Sequence, residues 1–282
     1  LLDIFSPLIS TFETYVRGHS PKVGAVDPAP LAHLLESMRY SLDNGGKRFR
    51  PVLSLLTAQT LNRPLEKVLP VAYAVELIHT YSLVHDDLPC MDNDDLRRGR
   101  PTNHKVYGEA LALLAGDALL TESFAHLATA YQATPEVGLT IVRLMSRAAG
   151  WAGMVGGQVV DIKNESEKKL DWIDFIHKNK TGALIQASVE CSAVACQVTQ
   201  SQQNALADFA ARLGFAFQLA DDILDWNPEK PENTSYVAVH GLERTQRALA
   251  TASREAEQVL QQAGLETVYF LPLIQFNQMR NK

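Results

Sequence analysis

Several features that would narrow the function are scarce in this chain. No apolar run reaches the length of about eighteen residues that a membrane span needs, and the longest candidate, residues 110–120, is interrupted by Asp117. Only three cysteines occur, Cys90, Cys191 and Cys196, with no C-x-x-C pair and no metal-ligand spacing. A disulfide framework and a zinc centre are therefore not expected, and an odd set of thiols in a long chain fits a reducing, cytoplasmic setting. Basic excess is also missing: the net charge of −6 gives no reason to expect nucleic acid as a partner. The first residues lack a basic stretch followed by an apolar core, so no signal peptide is expected. The chain opens on Leu1 rather than Met, which leaves room for an upstream segment. Two N-x-[ST] matches, at Asn164 and Asn233, are discounted because so short a pattern arises by chance.

Strand-like alternation is scarce as well, and apolar residues three and four apart dominate. The periodicity predicts helices over 1–18, 31–43, 51–60, 65–85, 107–131, 135–161, 171–178, 181–198, 201–226, 241–263 and 268–278. The Asn44-Gly45-Gly46 run is a strong helix stop. With no internal repeat and no linker, the 282 residues read as one all-α domain able to bury a substantial core.

Against this ordinary background stand two acidic clusters, together holding eight of the 32 acidic residues. Asp86, Asp87, Asp92, Asp94 and Asp95 end one apolar helical run, and Asp221, Asp222 and Asp225 end another. A solvated loop is the plainer account of a single acidic run. Two clusters, each at the end of a buried-looking helix, instead call for a cation to neutralise them. Gln218, Asp221, Asp222 and Asp225 share one helical stripe. Pro89 makes helix continuation past Asp87 unfavourable, so Asp92 is carried round by a short irregular insert. His79 lies seven residues before Asp86, on nearly the same face and roughly 10 Å down the axis. With no H-E-x-x-H and no EF-hand loop, magnesium bound to a polyphosphate is the economical choice of ion.

Two cationic groups suit phosphate. Lys47 and Arg50 follow the Gly45-Gly46 turn at a helix start, where backbone N–H groups and the helix dipole favour anions. Arg97 and Arg98 offer guanidinium forks. The P-loop pattern is absent. Either group alone is more often a solvated basic turn. Together with the aspartates they suggest two anion sites, one bridged by magnesium and one direct, as the joining of two diphosphate esters requires.

These segments resemble the trans-polyprenyl diphosphate synthases. The matching stretches are Gly45-Gly46-Lys47-Arg48-Phe49-Arg50-Pro51, Asp86-Asp87-Leu88-Pro89-Cys90-Met91-Asp92 with Arg97-Arg98-Gly99, Lys180-Thr181-Gly182, and Gln218-Leu219-Ala220-Asp221-Asp222-Ile223-Leu224-Asp225. The resemblance covers about residues 30–245, and Arg280-Asn281-Lys282 is similar to the C-terminus of bacterial farnesyl diphosphate synthases. It implies an all-α helical bundle of isoprenoid-synthase type around a central cavity, a homodimer, and three magnesium ions. Asp86, Asp92 and Asp221 would be metal ligands, supported by Asp87, Asp222 and Asp225. Arg97, Lys180, Thr181 and Gln218 would hold an allylic diphosphate, and Gly46, Lys47, Arg50, His79 and Arg98 would hold isopentenyl diphosphate. Residues 154–161 resemble a family segment near the allylic substrate, and the nearby glycines suggest close packing against substrate or another helix.

The implied reaction is ionisation of the allylic ester, attack by the isopentenyl double bond and loss of a proton. In the family, residues just before the first aspartate motif limit product length. The resemblance assigns this role to Tyr81, five residues before Asp86, whereas the helical wheel alone puts Ser82 beneath Asp86. Tyr81 and the Pro89-Cys90 insert favour the C15 product, farnesyl diphosphate, over C20, geranylgeranyl diphosphate. A non-catalytic regulatory subunit is a rival that the intact aspartate motifs argue against. Cys90, Cys191 and Cys196 are expected to be packing residues, and His104 and Asp117 structural. His85 is read either as support for the site or as a helix-end residue. The segment after Asp225 departs from the family pattern: it is short and holds only Lys230, where the family has a longer stretch with lysines that cover the allylic diphosphate.

Overall fold

The computed structural model describes residues 4–22, 24, 28–167, 169–227 and 235–279, without the side chains of 165, 166 and 170. Lys230 and the C-terminal Arg280-Asn281-Lys282 lie outside the described residues. The expected all-α class holds. The helices in order are α1 Ser6–His19, α2 Ala29–Leu42, α3 Phe49–Thr60, α4 Leu69–Asp86, α5 Asn103–Tyr107, α6 Glu109–Ala130, α7 Pro135–Ala149, α8 Met154–Glu167, α9 Ile173–Ile176, α10 Ala183–Ala195, α11 Gln200–Asp225, α12 Tyr236–His240, α13 Leu242–Gln262 and α14 Leu271–Met279. One small antiparallel ribbon, Leu96–Arg97 with Arg100–Pro101, follows the first acidic cluster.

The helix that delivers that cluster is central because it is apolar on nearly every side, as a helix surrounded by others must be. From Leu69 to Ile78 every residue of α4 is buried, Glu76 included. It packs against α1, α2, α3, α6 and α10. The second delivering helix, α11, starts with a capping box in which Thr199 and Gln202 satisfy each other's backbone N–H, worth about 1 kcal/mol. It runs on to Asp225 and is flanked by α10 and α13. On α13, buried Thr245, Leu249, Ala252, Ala256 and Leu260 form a single stripe, so only one face meets α11.

Four predicted helices change at their ends or middles, each for a local reason. The span 107–131 breaks at Gly108, whose φ of 84° serves as a hinge between α5 and α6. The span 135–161 breaks between α7 and α8, where the Gly150 carbonyl accepts from Gly153 N–H at 3.0 Å. By contrast, 171–178 and 181–198 are joined through a π-helical turn, His177–Gly182. Among the described helices, α6 alone has the length and apolar composition of a membrane span. Its buried Ala112, Ala115, Gly116, Leu119, Ser123 and Leu127 form a helical stripe, and the helix packs against α2 and α4.

Candidate active site

The end of α4 is shaped by its hydrogen bonds. Leu88 N–H donates to His85 O at 3.1 Å, Met91 N–H to Leu88 O at 2.9 Å, and Asp92 N–H to Asp86 O at 2.8 Å. The insert is thus a pair of tight turns that fold Asp92 back onto Asp86, as the sequence required of it. Burial pushes the Asp86 carboxyl up to about 6; Lys180 opposes the shift and the neighbouring Asp92 charge adds to it.

Asp86 opens into a cavity of about 480 Å³ between α4, α6, α8 and the π turn. Arg50, His79, Lys180 and Thr181 reach the same cavity, with Met154, Val155, Val159, Ile162 and Leu113 forming its apolar wall. Tyr81 and Ser82 line it too, so the wheel and the resemblance each named a residue at the wall. Tyr81 is the buried one, and Ser82 donates its hydroxyl to His79 O at 2.9 Å. Hollows of about 660 and 540 Å³ lie elsewhere. They contain no acidic motif, and Arg212, which lines the latter, is paired with Asp208 and Glu255.

The cationic end is built on Arg48, a residue that sequence reasoning passed over. It adopts the left-handed conformation, φ 45°, and points inward. Its guanidinium donates to Glu13 at 2.7 Å, Glu76 at 2.8 Å and Leu42 O at 2.8 Å. With Arg48 turned in, Arg50 two residues on reaches the cavity, and its buried Nε has no hydrogen-bond partner. An orphan guanidinium N–H beside a cavity is what an anion would satisfy. Burial, and then the nearby Arg50, Arg98, Arg97 and Arg48, push His79 well below the usual imidazole range, so it is a neutral ring in a positive basin.

Lys180 sits in the π turn with its Nζ 2.5 Å from Asp161 Oδ2. The α8 backbone comes unusually close to this turn because residue 157 is glycine: a Cβ there would stand 2.2 Å from Lys180 N. The expected close packing of the glycine-rich stretch is therefore helix against helix. Gln158, whose Oε1 is buried without a partner, also lines the cavity.

Other candidates are placed differently. Arg97 is engaged inside the protein, its Nε 2.7 Å and Nη2 2.6 Å from Asp87 Oδ1. Asp87 is correspondingly buried. Arg98 donates to Gly45 O at 2.5 Å, and its guanidinium fills the space that a Cβ on Gly46 would need. Lys47 and Asp225 are exposed. Asp222 accepts from Tyr236 N–H at 2.6 Å and faces His177 Nε2 at 3.4 Å. Asp221 and Gln218 are half-buried on α11, and the Asp221 charge acts on Arg50, linking the second cluster to the first site. Cys191 and Cys196 are buried as expected, but Cys90 is exposed at the cavity rim, because the turns after Leu88 carry it outward. His104 is buried with Nδ1 3.1 Å from Thr102 Oγ1. Asn164 is buried as well, and its Oδ1 accepts from Lys169 N–H at 2.7 Å, which leaves no exposed acceptor at that N-x-[ST] match.

Comparison with known proteins fits this geometry. A family model described as polyprenyl synthetase matches residues 31–253. Farnesyl diphosphate synthase of Geobacillus stearothermophilus is 50% identical over 198 residues, covering 69% of this chain and 66% of the relative. Chloroplastic geranylgeranyl pyrophosphate synthase of Capsicum annuum is 41% identical, over 93% of this chain and 76% of the relative. The apo crystal structure of an FPP/GFPP synthase from Zymomonas mobilis superposes with a TM-score of 0.88 at 32% identity, covering 98% of this chain and all of that one. The chain belongs to the polyprenyl synthetase family.

Proposed function

We propose that this protein is a magnesium-dependent short-chain trans-prenyltransferase that condenses isopentenyl diphosphate with dimethylallyl or geranyl diphosphate to give farnesyl diphosphate. The observation that carries the reading is the mixed lining of one cavity: Arg50, Lys180 and Asp86 share it with an apolar wall from Met154 to Ile162 that fits a hydrocarbon tail.

The donor set suits magnesium. Asp86 and Asp92 offer only carboxylate oxygens, joined by the 2.8 Å backbone bond between them. Among the described residues no three His, Cys, Asp or Glu side chains gather as a cage. Magnesium does not need one, since it binds through one or two carboxylates plus substrate phosphate. Asp86, Asp92 and Asp221 would hold the ions, three by family analogy, with Asp87, Asp222 and Asp225 behind them. Bound there, magnesium supplies neutralisation of the charge that develops on a departing diphosphate.

Lys180 would exchange Asp161 for the allylic diphosphate and, with Arg97, Thr181 and Gln218, stabilise it as the C–O bond ionises. Arg50 would use its free Nε–H on isopentenyl diphosphate, beside His79, Lys47, Arg98 and Gly46. The isopentenyl double bond attacks the allylic cation, and the released diphosphate takes the proton lost from the product. The apolar wall keeps water from quenching the cation.

Tyr81 would close the far end at C15. The C20 product is the second reading, favoured by the similarity to plant geranylgeranyl synthases. Product chain length after incubation with dimethylallyl and isopentenyl diphosphates separates the two. A homodimer belongs to this reading too, by family analogy.

A further inference from the structure

We infer that His85 and Gly116 set the depth of the cavity by seating Tyr81, which makes them positioning residues for product length. The inference rests on the prenyltransferase reading and extends it to a contact between α4 and α6. The Tyr81 ring lies buried against the His85 imidazole, centroids 5.6 Å apart and planes at 76°. His85 in turn is held from the other side, with Nε2 3.0 Å from Leu113 O. Tyr81, His85 and Leu113 all line the cavity.

Gly116 makes the arrangement possible. It is buried on α6, and a Cβ there would stand 2.1 Å from His85 Nε2 and 2.4 Å from Cδ2. No side chain at 116 can coexist with this imidazole position, because real contacts do not approach below about 3 Å. The glycine is thus a slot for the ring, and the ring is the backing of Tyr81. Gly116 does not itself reach the cavity; its effect passes through His85.

Three variants test the chain of contacts, read by the chain-length distribution of products made from dimethylallyl and isopentenyl diphosphates. In His85→Ala the slot empties, Tyr81 can tilt back, and the product should lengthen by at least one isoprene unit. In Gly116→Ala the imidazole is driven off Leu113 O toward the cavity, and a larger share of product should stop one unit early. His85→Gln keeps a donor for Leu113 O and should keep the wild-type length. An unchanged distribution in both His85→Ala and Gly116→Ala, with the wild type condensing normally, overturns this inference alone. A folded wild type that condenses nothing overturns the prenyltransferase reading and this inference with it. Because Gly116→Ala and His85→Ala push length in opposite directions, a general loss of stability cannot imitate the result.

Discussion

Gly157 and Lys180 define how tightly the site is assembled: the α8 backbone runs so near the π turn that a Cβ at 157 would stand 2.2 Å from the Lys180 nitrogen. The obstacle is backbone, which cannot swing away as a side-chain end can. π turns recur at functional sites because the widened turn re-aims one residue, and here it aims Lys180 at Asp161 and the cavity. Gly157→Ala should separate α8 from the turn, costing about 1–3 kcal/mol of stability. Its larger effect should be on kcat, because Lys180 loses its aim; steady-state kinetics with a parallel melting curve checks both.

Arg48 offers a separable, purely structural test. It is 4% exposed and bonded to Glu76, itself 2% exposed, so its removal strands a buried carboxylate. Arg48→Ala should cost about 3–5 kcal/mol in denaturant unfolding. Glu76→Gln in the same background should recover part of that loss.

Asp86 gives a pH dependence with a definite sign. Burial holds its carboxyl up to about 6 in the folded protein, against 3.8 as its ordinary value. The metal-free folded state therefore keeps a proton through that window that the unfolded chain has released. Stability from this group is fullest below pH 3.8, falls as pH rises, and is lost above about 6. Thermal unfolding of metal-free wild type and Asp86→Asn between pH 4 and 7 should show that decline in the wild type and a flatter curve in the variant.

Tyr81→Ala should lengthen the product, because the buried ring at the cavity wall is replaced by a methyl group. An unchanged chain-length distribution would remove Tyr81 from the floor.

Much of this was legible in the sequence, and the gaps have physical causes. Helix positions followed from periodicity, and the gathering of Asp86 and Asp92 at one helix end from their clustering. The turn that folds one onto the other followed from Pro89. What periodicity cannot show is which member of a charged run faces inward. Lys47, Arg48 and Arg50 read alike, yet Lys47 is exposed, Arg48 is locked to two glutamates, and Arg50 alone reaches the cavity. The pairings Arg97–Asp87 and Lys180–Asp161 join residues ten and nineteen apart, beyond any helical spacing rule. The break at Gly150–Gly153 and the π turn depend on how α8 packs, which is tertiary information.

The most direct test of the whole reading is condensation measured with and without magnesium, in wild type and in Asp86→Asn and Asp221→Asn. Radiolabelled isopentenyl diphosphate and geranyl diphosphate are supplied, and label entering the apolar extract is counted. The expected result is magnesium-dependent formation of farnesyl diphosphate by the wild type, reduced roughly 10²–10³-fold in each variant. Condensation that persists undiminished in both variants, or a folded, magnesium-supplied wild type that makes no prenyl product, would contradict it.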